Sequence, residues 1–503
     1  MKRLLFALVA VLAGLAALVL AVPLLSPPTV ATVGGDVFVN PPQPLQASNS
    51  PTLLRNPLLP ENLVMTYRVD RLGFAAVLSS SMDGGNRWSH LPLPLPPGLD
   101  RPFAPDVAFA PDGTLFVSYV NLEGDGNVPA NLWVATSKDG GLTLSPPVRV
   151  AGRLVFQARI AVDLENRAHL TWLQVTEVGV RRVAGGPNRI VSSHASDDGK
   201  TWSAPVPLSD PGRERVGAAT PAIDSEGHLV ILYMDYKSDR RDFEFLDGPP
   251  AEEPFALVVT RSEDGGESFS PGAEIDAGLV ATRRFLVFLP EFPSLAAGRD
   301  GTMYASWADG RNGDEDVFVR RSDDGGRSFG PMVRVNDNPV GDGTDQYLPR
   351  LDLAPNGRVD VLWLDRRNDP GNVLNEAYLA SSTDGGKSFD NVRLSSASSN
   401  SKVGPFNDAM LPIDFGSRLG LTSSDDTVVA AWPDSRLGNE DTGRQDIAAA
   451  AARFSTAAPD RGRLLLVIGL LGLSLLSLLG WFVAGGKGQR ARATVAGKDE
   501  TVL

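Results

Sequence analysis

The sequence predicts an all-β fold, a seven-bladed β-propeller with a six-bladed ring as the alternative, carrying one hydrophobic membrane helix at each end. Three observations predict it. An Asp-Gly turn first seen as "SSSMDGGNRWS" (79–89) returns as "ATSKDGGLTLS", "SHASDDGKTWS", "TRSEDGGESFS", "RRSDDGGRSFG" and "ASSTDGGKSFD". One kind of strand occurs seven times: "LVMTY", "TLFVSYV", "AHLTWL", "HLVILYM", "TMYASWA", "RVDVLWL" and "TVVAAWP". Both chain ends are apolar, while between them β-branched and aromatic runs alternate with Gly, Asp, Asn and Pro turns and no helical period shows.

Each element follows from these repeats. Most of the seven strands come after a tight turn such as "APDGT", "DSEGH", "GRDGT" or "APNGR". Before that turn lies another strand, often led by a proline: "SPTLL", "APDVAFA", "TPAID", "FPSLAA", "LPRLDLA". A third strand follows in every repeat, and the first six add the Asp-Gly turn and a fourth strand. Four strands recurring about every 60 residues form one propeller blade. The seventh unit stops at "DIAAAAARF" without its fourth strand, and "DVFVN" (36–40) is a spare strand at the other end. If that spare strand completes the last blade, the ring closes and leaves no open sheet edge.

The two ends read as membrane segments. Leu4 to Leu25 and Leu464 to Ala484 are each about as long as the roughly 20 residues a spanning helix needs. Lys487, Arg490, Arg492 and Lys498 follow the second run and only Arg461 and Arg463 precede it, which puts the tail in the cytoplasm and the repeats outside. The division expected is residues 1–25, a signal peptide or an N-terminal membrane anchor; 26–35, a linker; 36–454, the propeller; 455–463, a linker; 464–484, a transmembrane helix; and 485–503, a cytoplasmic tail.

Composition narrows the chemistry. There is no cysteine and there are only four histidines, none paired at ligand spacing, so thiolate metal sites and disulfides are excluded and a histidine zinc site is disfavoured. Residues 4–460 hold 39 Lys and Arg against 58 Asp and Glu, a net charge of −19. That acidity argues against a nucleic-acid partner. An anionic ligand would need a local arginine cluster working against the global field. No cofactor is expected; the oxygen-rich "NDNPVGDGTDQY" (336–347) is a weak Ca²⁺ candidate without EF-hand spacing, against a plain polar loop.

The turns match the Asp-box, Ser/Thr-x-Asp-x-Gly-x-x-Trp/Phe. Four copies fit: Ser81/Asp83/Gly85/Trp88, Ser262/Asp264/Gly266/Phe269, Ser322/Asp324/Gly326/Phe329 and Ser382/Asp384/Gly386/Phe389. The second copy has Leu144 for the aromatic, and the third, Ser196/Asp198/Trp202, is one residue short. On these six copies the stretch 36–454 resembles the sialidase-like, BNR-repeat propellers. Asp and Ser bond the backbone of their own turn and glycine supplies positive φ, so the box itself is a folding device. The resemblance places the boxes on the face opposite the active site.

On that other face the resemblance implies three arginines around a substrate carboxylate, a tyrosine nucleophile paired with a glutamate, and an aspartate acid/base, the tyrosine being a recognised exception among glycosidases. The first arginine of the family's pattern falls on Asn49 in "ASNSPTLL", a departure that weakens the case for sialic acid. Tyr347 and Glu291 lead into first strands of neighbouring blades and match the nucleophile pair; Asp70 follows the second strand of the first blade and matches the acid/base. Arg284 and Arg350 are candidates for neutralising an anionic substrate. A second repeat, "WADGR", "WLDRR" and "WPDSR", places Asp309 with Arg311, Asp365 with Arg367 and Asp434 with Arg436 after the second strands of three blades. These are either inter-blade ion pairs or a rim contacting carboxylates and sugar hydroxyls. Two functions compete: a membrane-anchored extracytoplasmic module binding a glycan or cell-surface protein, and an exo-α-sialidase-type glycoside hydrolase.

Overall fold

The computed structural model describes residues 2–25, 29–71, 73–125, 127–175, 188–237, 253–280, 291–405, 415–456 and 461–495. Residues 33–453 form one compact unit, and the two chain ends form another.

The first unit contains seven antiparallel sheets, the blades of a seven-bladed propeller. Blade 1 runs through Ser48–Arg55, Leu63–Val69, Ala75–Ser81 and Ser89–Pro92 in that spatial order. Blades 2 to 6 repeat the same meander, their first strands at Pro102–Phe109, Val155–Val162, Val216–Ile223, Ser294–Ala297 and Gln346–Leu353. Blade 7 takes Gly420–Ser423, Thr427–Asp434 and Asp446–Thr456 from the end of the chain and its outer strands from the beginning. Val37 and Phe38 pair with Ala449 and Ala448, and the Val39 amide donates to Ile447 O at 2.8 Å. The ring is therefore closed by the spare N-terminal strand, as the repeat count requires. The stretch 26–35, expected to be a linker, adds a further strand at Thr29–Val33 beside Asp446–Thr456.

The core lies between blades. One position of every second strand is aromatic and buried: Tyr67, Tyr119, Trp172, Tyr233, Trp307, Trp363 and Trp432. Rings of this size bury about 150–250 Å² each. Trp363 packs among Tyr304, Val317, Val319 and Tyr378, joining blades 5 and 6.

The Asp-boxes behave as turn locks. In the fourth, Gly266 N donates to Ser262 Oγ at 2.8 Å, and Asp264 accepts from Ser262 Oγ, Glu267 N, Ser268 N and Ser268 Oγ. Bonds from Ser268 are the chief cause that holds the Asp264 carboxyl down at about 2. The third box is not one residue short. Asp197, not Asp198, receives Lys200 N, Thr201 N and Thr201 Oγ1, while Asp198 adopts the positive φ that glycine supplies elsewhere. Ala195 stands in the serine position, and Trp202 Nε1 donates to Gly199 O at 3.0 Å as Trp88 Nε1 does to Gly85 O.

The chain-end unit contains two helices, α1 (Lys2–Leu25) and α2 (Arg461–Val495), packed antiparallel. Among the described residues, one segment is long and apolar enough by length and composition to cross a membrane, Leu464–Val483 in α2; the stretch of α1 described, Leu4–Val19, is shorter. Of the membrane helix expected at each end, the described residues meet the length and composition of a span at the C-terminal end.

Candidate functional site

A strained ring of backbone surrounds the propeller axis. In five blades the first strand carries a β-bulge at the same place, between Asn49 and Thr52, Phe103 and Asp106, Phe156 and Arg159, Gly217 and Thr220, and Tyr347 and Arg350. Each bulge contains a non-glycine residue at positive φ: Ser50, Ala104, Gln157, Ala218 and Leu348. Such conformations cost about 1–3 kcal/mol each and persist where the surroundings enforce them. Here they turn Thr52, Asp106, Arg159, Thr220 and Arg350 onto one axial cavity of about 340 Å³, which Leu295 and Arg55 also line. That volume is at the lower end of the roughly 300–1,000 Å³ of ligand sites. The cavity runs along the first strands toward their turns, the end of the propeller that bears the Asp-boxes.

Arginines gather at the axis. Arg350 and Arg418 both lie close enough to Arg159 that its charge weakens their hold on a proton. Burial first, then the neighbouring Arg159, lowers the pKa of Arg350. The same causes push Arg418 down to about 9. Their counter-charge is sparse. Arg159 Nη1 lies 3.3 Å from Asp106 Oδ1, but that carboxylate also receives Thr52 Oγ1 and Ile160 N. Arg418 Nη2 donates to the carbonyl of Pro105, leaving Nε buried without a partner among the described residues. Arg159 stacks over Phe292 at 5.2 Å. The cluster is locally cationic inside an acidic protein, the condition an anionic ligand needs.

Of the residues expected from the sequence, Arg350 lies in this cluster. Arg284 lies outside the described residues. Arg159 and Arg418 were missed. For Arg159 a signal existed, since it fills in "FQARI" the place that Arg350 fills in "YLPRL".

The proposed catalytic trio sits apart from the cavity lining. Tyr347 and Glu291 occupy the same place in neighbouring blades, three residues before the axial Arg350 and Ser294, and Asn49 holds that place in blade 1. Tyr347 is buried; its hydroxyl donates to Asn375 Oδ1 at 2.8 Å and accepts from Arg366 Nη2 at 3.3 Å. Asp70 is also buried, bonded through Oδ2 to Asn49 Nδ2 and Arg68 Nε, both at 2.8 Å. Its Oδ1 has no hydrogen-bond partner among the described residues. Burial raises the Asp70 pKa above the ordinary carboxylate range, opposed by Arg68 and Asn49.

The Trp-Asp-Arg repeat forms brackets between blades. Trp307 Nε1 donates to Asp309, Arg311 bonds the same carboxylate, and its Nη2 reaches Asp276 of blade 4 at 3.2 Å. Arg367 joins Asp365 to Asp337, which follows blade 5. Arg436 joins Asp434 to Asp36 of the closing segment at 2.7 Å. Burial works against the charge of Arg311, yet its carboxylate partners outweigh that and raise its pKa. These guanidinium groups already hold two carboxylates apiece, which is a fastening role.

The acidic loop 336–347 is similarly committed. Asp337 holds Arg367, Asp342 accepts Asn338 and Thr344, and Asp345 holds Arg366 and Asn372. Among the described residues one group of possible metal ligands converges, Asp224, Glu226 and His228, and there Arg261 already lies 3.0 Å from Asp224.

No family model matches the chain, and no curated protein is similar to it in sequence. Solved structures do resemble it. A protein of unknown function from Dyadobacter fermentans is 13% identical, covering 84% of this chain and 99% of its own, with a TM-score of 0.48. A Hadza microbial sialidase is 20% identical over 63% of each chain, with a TM-score of 0.42. The phage phi92 endosialidase is 11% identical, covering 85% of this chain and 70% of its own, with a TM-score of 0.48. The blades, their order and the six boxes define the architecture of this chain on its own evidence: a seven-bladed, Asp-box β-propeller.

Proposed function

We propose that the protein is a membrane-anchored, extracytoplasmic propeller that binds an acidic glycan, or a carboxylate-bearing surface protein, at its axis. The observation that carries this reading is the axial cluster Arg159, Arg350 and Arg418: Arg159 Nε and Arg418 Nε are buried without a hydrogen-bond partner among the described residues, and the charge of Arg159 repels those of Arg350 and Arg418. A carboxylate there would relieve that repulsion through charge-assisted, bidentate bonds. Each such bond to a charged group contributes about 1.5–3 kcal/mol. The C-terminal apolar segment Leu464–Val483 supplies the anchor, and the basic residues after it set the propeller outside.

Calorimetric titration of the propeller with a sialic acid, a uronic acid and a neutral hexose tests this. Acidic sugars should bind and the neutral one should not, and Arg350→Gln should weaken binding by about tenfold or more, the size of one lost charged bond. Equal binding of all three sugars, or an unaffected Arg350→Gln, sinks the reading.

A second reading rests on Asp70. A buried carboxyl that keeps its proton above the usual range suits a general acid, and with Tyr347 and Glu291 it would make an exo-α-sialidase-type hydrolase. Against it, neither Asp70 nor Tyr347 reaches solvent. Release of a fluorogenic sialoside by wild type, abolished in Tyr347→Phe, would favour hydrolysis; no release across several sugars leaves the binding module.

A further inference from the structure

We infer that α1 is retained in the mature protein as a second membrane helix, docked along α2, so that two helices rather than one tether the propeller. The inference rests on the reading of α2 as a membrane helix. It starts from a matched face. Ala10, Ala13 and Ala17, spaced three and four apart on one side of α1, are almost wholly buried, whereas Leu8, Leu12, Leu15 and Leu18 on the other sides are exposed. The opposing side of α2 presents the buried Val467 and Ser477 and the half-buried Ser474. Ser474 Oγ donates to Ala10 O at 2.9 Å, and a Cβ placed on Gly14 would lie 3.6 Å from Ser474 Oγ. Further along, a Cβ on Gly480 would meet the Phe6 ring at 3.0 Å. Small residues that let backbones approach, with a hydroxyl bonded across, are how helices associate in lipid. A leader destined for removal needs hydrophobicity alone, not a face shaped to a helix more than 400 residues away.

Connectivity points the same way. The strand Thr29–Val33 follows α1 and lies beside Asp446–Thr456, which precedes α2. Short tethers from adjacent strands hold the helices at an effective concentration of the order of mM, so modest packing suffices. The stretch of α1 described, Leu4–Val19, is shorter than a full span, but the helix has 24 residues. At 1.5 Å per residue that is about 36 Å, against a hydrocarbon core of about 30 Å. A short apolar span is accommodated by association with a neighbour.

The absence of cysteine makes the test direct. The full chain carrying Gly14→Cys and Ser474→Cys, expressed in membranes and mildly oxidised, should form a disulfide within one chain. After proteolysis in the propeller, an N-terminal tag should stay with the C-terminal fragment until a reductant is added. A control pair on exposed faces, Leu8→Cys with Leu475→Cys, should not cross-link, and adding Gly480→Leu should weaken the Gly14/Ser474 cross-link. The inference fails if the intact mass of the wild-type chain shows that α1 has been removed. It also fails if the full-length Cys pair does not cross-link, or links only between chains. Should the double variant not accumulate, the wild-type mass decides alone. Extraction of the wild-type chain by alkaline carbonate while the cross-link still forms would instead refute the membrane reading and spare the helix pair.

Discussion

Asn49 sits where the resemblance to sialidases asks for an arginine, and its amide bridges Asp70 Oδ2 and Gln445 Oε1. The place was legible from the proline in "NSPTLL", but not the consequence, which is that Asp70 becomes a buried, partnered carboxyl. The same limit applied to the axial cations. Arg350 could be suspected from its position. Arg418 could not, because the first strand of blade 7 pairs at Gly420 rather than following the pattern of the others. Beside Arg350, Asp352 offers a residue-level test. Burial raises its pKa to about 6, offset in part by Arg350 and by the bond from Ser423 N at 2.7 Å. The folded state thus binds this proton more tightly than the unfolded chain. Its contribution is full below about pH 4, the unfolded value, and is lost as pH rises through about 6. Asp352→Asn should remove that slope, seen as a difference between wild-type and variant urea midpoints that changes between pH 4 and 6 and is flat above about 7.

Strands and turns were the most legible level. Seven second strands were countable because β-branched runs between Gly and Asp turns leave few other readings. The third box was misread by one residue because Asp197 and Asp198 are adjacent and only bonding tells which accepts from the turn. The bulges were not legible at all: a positive φ at Ala104, Gln157 or Leu348 goes against residue preference and arises from packing of the whole ring. The boxes give a prediction at this scale. Asp264→Ala removes an acceptor for four donors, Ser262 Oγ, Glu267 N, Ser268 N and Ser268 Oγ. It should lower unfolding stability by about 1–3 kcal/mol in urea melts, with ligand binding at the axis unchanged. Because the carboxyl sits at about 2 when folded, the difference from wild type should shrink as pH falls from about 4 toward 2.

Closure of the ring was foreseeable by subtraction, since six complete units and one incomplete unit left "DVFVN" over. What subtraction could not supply was the fastening. Asn40 Oδ1 accepts Ile447 N at 2.6 Å while its Nδ2 donates to Asp446 Oδ1 at 3.0 Å, and Arg436 grips Asp36. Asn40→Ala should therefore loosen the seam between first and last segments. Hydrogen exchange of the amides at 446–453 should accelerate while those of blades 2 to 4 keep their protection. Uniform acceleration around the ring would mean that the seam does not open by itself.

The strand Asp446–Arg453, which leads toward α2, has neighbours on both sides: Thr427–Asp434 on one and the start of the chain on the other. Tension applied at the two ends of this strand would act lengthwise on it. Both ladders would then be loaded in shear, with their bonds sharing the load at once instead of peeling one at a time.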